Sequence, residues 1–149
     1  MSSDTAVSLR LEVAVLPVAD VDRAKEFYTR LGWRLDADFP LADDYRIVQF
    51  TPPGSAASIH FGDGVSNATP GQAGSLILVV DDIEAARAEL ARLGAEVSEP
   101  WHGRGPGGSG RLPGLAPDRA SYGSWASFTD PDGNEFLLQE IRDRLPGRV

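Results

Sequence analysis

The order of apolar and polar positions divides this chain into elements. Leu9 to Leu16 is an apolar, β-branched run that stops at Pro17, which predicts a largely buried strand. Asp20 then stands where a helix cap would. Ala24, Phe27, Tyr28 and Leu31 recur at spacings of three and four, which puts them on one helical face that ends at Gly32. Trp33 to Phe39, Tyr45 to Thr51 and Ala57 to Phe61 predict three further strands, with Pro52-Pro53-Gly54 turning the chain between the last two.

The same order then begins again. Ser75 to Val80 predicts a strand, Asp82 a cap, and Ile83, Ala86, Leu90 and Leu93 an apolar stripe that Gly94 stops. Asp20-Val21 matches Asp82-Ile83, Arg30-Leu31-Gly32 matches Arg92-Leu93-Gly94, and Leu35 matches Val97, all at a constant offset of 62. This is an internal repeat of β-α-β-β-β units. Its later strands, Tyr122 to Phe128 and Asn134 to Ile141, flank the turn Thr129-Asp130-Pro131-Asp132-Gly133. Matching His60 to Leu137 raises the offset to 77, so 15 extra residues lie between Glu99 and Ser121. The glycine-rich stretch there has neither helical nor strand periodicity, and a loop of this length in a compact domain is a functional lid or a disordered strip. The expected organisation is one α+β domain over residues 1–149, with modules near 9–62 and 75–141 and a glycine-rich loop at 100–121.

Composition narrows the function classes. The chain has no cysteine, which excludes disulfides, thiolate metal sites and cysteine nucleophiles. Its net charge of -8 and the absence of a basic cluster or basic amphipathic stretch argue against nucleic acid and membrane surfaces as partners. The first ten residues lack the features of a secretion signal, and no apolar run is long enough to span a bilayer, so a cytoplasmic protein is expected. Gly103 to Gly110 lacks the lysine and following helix of a phosphate loop, and there is no Gly-x-Ser-x-Gly nucleophile turn.

Three features together carry a family resemblance: the Asp-capped helix with Phe27-Tyr28, the following Leu31-Gly32-Trp33, and the stretch from Phe128 to Phe136 with its Asp130-Pro131-Asp132-Gly133-Asn134 turn. On these motifs the whole chain resembles the glyoxalase/bleomycin resistance protein/dioxygenase group, the vicinal oxygen chelate superfamily. The resemblance implies two modules whose curved mixed sheets line a cleft, with helices on the outer faces. It also implies four ligand positions in the metal-dependent members, which fall here on Val13, His60, Ser75 and Leu137. Valine and leucine offer no lone pair, so no metal is expected at the standard positions, and a divalent metal held by a non-standard set is the alternative.

Strand alternation agrees with that register. If His60 faces the cleft, Ile59 and Phe61 face the helix-covered core, and Leu137 stands likewise between Phe136 and Leu138. The expected pocket wall is then Val13, Val15, His60, Ser75, Ile77, Val79, Leu137 and Gln139, mostly apolar with a few polar handles. His60 is open to three readings: a general base, a lone ligand of a rebuilt metal site, or a hydrogen-bonded pocket histidine. His102 is a candidate base beside Trp101 and Arg104 in the loop, against a solvated-loop reading, and these three make the segment 101–121 a candidate gate. Tyr122 and Trp125, three apart in one predicted strand, should face opposite ways, so at most one lines the pocket. Arg119 could hold a substrate carboxylate or be a surface arginine.

Two functions remain. One is a binder of a small organic molecule, with or without acid–base chemistry upon it. The other is a metal-dependent lyase, isomerase or dioxygenase that recruits His60 with His102, Glu140 or another carboxylate. A homodimer is expected in either case.

Overall fold

The computed structural model describes residues 7–104 and 110–144. The first module comprises β1 (Val13–Val15), α1 (Val21–Arg30), β2 (Arg34–Ala42), β3 (Tyr45–Thr51) and β4 (Ser58–Asp63). The second comprises β5 (Leu76–Val80), α2 (Ile83–Arg92), a hairpin of β6 (Trp101–His102) with β7 (Leu112–Pro113), a single 3-10 turn at Pro117–Arg119, β8 (Trp125–Thr129) and β9 (Glu135–Glu140). Both repeat offsets are seen in the elements themselves. The helices are displaced by 62 residues end to end, and β4 and β9 by 77.

The helices begin and end for the same local reasons. Asp20 accepts from Arg23 N at 3.0 Å, and Asp82 from Glu84 N and Ala85 N at 3.1 Å, satisfying amides that the first turn leaves without partners. Gly32 and Gly94 follow the last turns at φ 79° and 99°, the left-handed conformation that glycine adopts without a Cβ clash.

The strands form two sheets, ordered β1-β4-β3-β2 and β5-β9-β8-β6-β7, in which β1 runs parallel to β4 and β5 parallel to β9. Each sheet turns one face toward a single shared core. Tyr28 of α1 stands 5.6 Å from Phe61 of the first sheet and 6.2 Å from Phe136 of the second, while Trp33 meets Phe136 edge-on at 5.4 Å. Val48, Phe50, Ile59, Ile83, Ala126, Phe128 and Leu138 belong to the same cluster. The Asp130-Pro131-Asp132-Gly133-Asn134 turn fastens the modules together. Its Asp132 accepts from Ala19 N and from Arg23, and Asn134 Nδ2 donates to Pro17 O at 2.9 Å.

Several boundaries differ from the sequence expectation. Only Val13–Val15 of the run from Leu9 to Leu16 forms a strand, its backbone bonds to β4 reaching from Glu12 O to Leu16 N, and Leu9 and Leu11 are exposed. The strand predicted from Trp33 starts at Arg34 and continues to Ala42. The strand predicted from Tyr122 starts at Trp125. Tyr122 lies in a turn at φ 72°, so the alternation argument for Tyr122 and Trp125 does not apply. The stretch 100–121 is not devoid of regular structure: the β6–β7 hairpin and the 3-10 turn occupy it. Strands of two residues are too short to leave a periodic signal. The central part of that loop, 105–109, lies outside the described residues.

Candidate functional site

On each sheet, the face away from the shared core carries the predicted site residues. In the first sheet Val15 of β1 pairs with His60 of β4, which pairs with Gln49 of β3, and Val13 pairs with Ser58. Residues opposite one another share a face, so Val13, Val15, Ser58, His60 and Gln49 form one surface. Thr51, two residues from Gln49, extends it. Its hydroxyl lies 2.6 Å from Ser58 Oγ and also donates to Asp36 at very short range.

Asp36 lies two residues after Arg34, which pairs with Thr51, so the period of two puts its carboxylate on the His60 face beside the register shift between Leu35 and Ala37. Besides Thr51, it accepts from Arg34 Nε at 2.6 Å and Gln49 Nε2 at 3.4 Å. The Thr51 hydroxyl, followed by Arg34, holds the Asp36 carboxyl below its ordinary range. Sequence reasoning missed Asp36, Gln49, Thr51 and Ser58. The period of two along β3 and β2 could have placed Gln49, Thr51 and Asp36.

His60 is half-buried, and burial lowers its pKa below the ordinary histidine value. Among the described residues none hydrogen-bonds its ring, and in particular no carboxylate orients it. The neutral imidazole therefore keeps both nitrogens for a ligand: one donates and the other accepts.

The second sheet carries the other half of the predicted wall. Ile77, Leu137 and Ser127 form one row across β5, β9 and β8. Val79, Gln139, Trp125 and Trp101 form the next row, which reaches β6. Trp101, Trp125 and Leu137 pack into a small apolar cluster of their own, with Leu137 wholly inaccessible. Trp101 Nε1 donates to Arg104 O at 3.2 Å, and Gln139 Nε2 donates to Tyr122 O at 3.1 Å. The Arg104 and Tyr122 backbones thus brace this wall. Ser75 precedes β5 and is exposed at φ 63°.

His102 sits next to Trp101 in β6 and therefore on the opposite face. Its Nδ1 donates to Gly114 O at 2.8 Å, which closes the hairpin and directs the ring away from the Trp101 wall. Arg119 is engaged elsewhere too. It pairs with Glu140, Asp82 and Glu84, and Glu140 in turn accepts from Ile83 N at 2.9 Å. Arg119 and Glu140 are thus bound into the start of α2, and neither offers a free group to a substrate or metal.

Within one chain the two halves are not brought together. Both faces point away from the core they flank, and Val15, Ile77 and Val79 remain 41%, 46% and 42% exposed. Two concavities, of about 570 and 300 Å³, lie along the seam between modules; they take in Ser75, Ile77 and Val79 of the predicted wall but not His60, Leu137 or Gln139. Val13, His60, Ser75 and Leu137 do not suit a divalent metal: together they supply one imidazole and one hydroxyl. Among the described residues no group of three or more histidine, aspartate or glutamate side chains stands where it could hold an ion. Among them, too, no helix is long and apolar enough to cross a membrane.

A duplicated β-α-β-β-β unit with two open sheet faces defines a class of small α+β proteins. The chain matches the Glyoxalase/Bleomycin resistance protein/Dioxygenase superfamily over residues 10–138, and it belongs to that family. It is similar to the crystal structure of TnmS3, an antibiotic binding protein from Streptomyces sp. CB03234, at 30% identity and TM-score 0.66, over 92% of this chain and 98% of that one. It is likewise similar to a glyoxalase/bleomycin resistance protein from the same organism, at 30% identity and TM-score 0.63, over 88% of this chain and 100% of that one. A superfamily member from Sphaerobacter thermophilus DSM 20745 shares 25% identity at TM-score 0.64, over 89% of this chain and 98% of that one. No curated protein matches the chain at the sequence level.

Proposed function

We propose that this protein binds a flat organic molecule in a cleft completed by a second copy of itself, without a metal at the family's standard positions. The observation that carries this reading is the direction of the two sheet faces. A protein folded around one core gains nothing by leaving Val15, Ile77 and Val79 in water, whereas a two-fold partner would cover them. In such a pair the His60 face of one copy meets the Leu137 face of the other, and symmetry makes two equal clefts. Each would have a polar wall of His60, Gln49 and Asp36 opposite an apolar wall of Ile77 and Val79, backed by the buried Trp125 and Leu137. A few placed polar groups on an otherwise apolar surface suit a partly apolar small molecule. The description of TnmS3 as an antibiotic binding protein supports a ligand of that general kind.

Nothing among these groups calls for bond-breaking chemistry. Among the described residues no carboxylate orients His60, and none supplies a donor set for metal-assisted polarisation. The test combines assembly, ligand and metal. Sedimentation should give a species of twice the 15.9 kDa chain mass. Phenylnaphthylamine, a neutral flat probe, should quench tryptophan emission saturably, and Ni, Zn, Mn or Fe(II) should leave the thermal midpoint unchanged. A monomer that binds no probe would contradict the cleft. Turnover of methylglyoxal with glutathione that is lost on chelation would contradict the metal-free reading.

A further inference from the structure

One cation lies on the apolar wall. Arg111 precedes β7, where Pro113 pairs with Trp101, and by the period of two Arg111 projects from the same face as Pro113 and Trp101. Its guanidinium carbon stands 3.8 Å from the centre of the Trp101 ring, a stacked cation–π arrangement. Arg111 is exposed, and among the described residues it has no carboxylate partner, in contrast to Arg119, which pairs with Glu140.

An arginine stacked through its planar face keeps its N–H edge free, and that edge fits the two oxygens of a carboxylate or sulfonate. The stacking partner is itself fixed. Trp101 is only 6% exposed, packs on Trp125 and Leu137, and donates its indole N–H to Arg104 O. The cation is therefore held beside the apolar surface on which an aromatic ring would lie. The carboxylate of the facing wall, Asp36, is already satisfied by Arg34, Thr51 and Gln49, and so opposes an anion less than a bare carboxylate would. We infer that Arg111 makes the cleft select flat aromatic molecules carrying an anionic group, a specificity that rests on the cleft reading above.

A matched pair of probes isolates the charge. Phenylnaphthylamine and anilinonaphthalene sulfonate share one ring scaffold and differ in the sulfonate. Both should bind the native protein, the sulfonate more tightly. Arg111→Gln should raise the Kd of the sulfonate about tenfold while that of the neutral probe moves by less than about twofold, and Arg111→Lys should restore part of the preference. Equal weakening of both probes in Arg111→Gln would mean that Arg111 merely props the Trp101 indole, and unchanged binding of both would mean that it faces no ligand. Either result overturns the selectivity. A native protein that binds neither probe would overturn the cleft itself and the selectivity with it.

Discussion

The Tyr28 hydroxyl donates a 2.8 Å hydrogen bond to Asp130 Oδ2 across 102 positions of sequence, tying the first helix to the turn that closes the second module. Both groups are buried, and Asn134 Nδ2 donates to the same carboxylate oxygen at 2.9 Å. Burial, together with the Asp130 charge, pushes the Tyr28 phenol far above its ordinary pKa and so favours its neutral, donating form. Tyr28→Phe keeps the ring contacts with Phe61 and Phe136 but leaves the carboxylate short of a donor. It should destabilise the fold by about 1–3 kcal/mol, seen as a lower denaturant midpoint at unchanged slope.

Glu140 is wholly inaccessible. Burial alone would raise its pKa, yet the Arg119 guanidinium and the Ile83 amide together hold the carboxyl below its ordinary value. The unfolded chain therefore takes up this proton first as pH falls. The stability that Glu140 contributes is present at neutral pH and is lost once the pH drops below the ordinary glutamate range, about 4.3. Below about pH 4.3, denaturant midpoints should fall more steeply for the native protein than for Glu140→Gln, whereas between about pH 7 and that value the two should run parallel.

His60 carries the opposite charge logic. Burial disfavours its protonated form, so the unfolded chain again binds the proton first and stability declines as pH falls below the ordinary value of 6.5. Of the two imidazoles followed by NMR, the resonance abolished in His60→Gln should titrate below 6.5. A midpoint above that value would show a carboxylate beside the ring.

The repeat was legible because both copies keep their caps and stops at one spacing, and Asp20, Gly32, Asp82 and Gly94 do in the structure what their positions suggest. The facing of His60 and Leu137 was legible too, since each stands between two aromatic or aliphatic core residues. Three-dimensional displacement was not. Arg111 reaches Trp101 across a hairpin with two-residue strands, and Tyr122 leaves its predicted strand through a left-handed turn. The sequence pattern also groups Val13 and Val15 with Ile77 and Leu137 as one wall. The shared core around Tyr28 and Phe136 instead turns their two faces away from it, a long-range consequence of packing that no local periodicity encodes.

Complementation between two damaged copies tests the composite cleft most directly. His60→Trp blocks the polar wall, and Val79→Arg puts a charge on the apolar wall. Each variant alone should form dimers whose two clefts are both impaired and should bind no phenylnaphthylamine. When the two are unfolded together in equal amounts and refolded, about half the dimers should be mixed, each with one undamaged cleft, which restores about a quarter of the native probe capacity. A mixture that binds no more than the separate variants would contradict a cleft built from two chains.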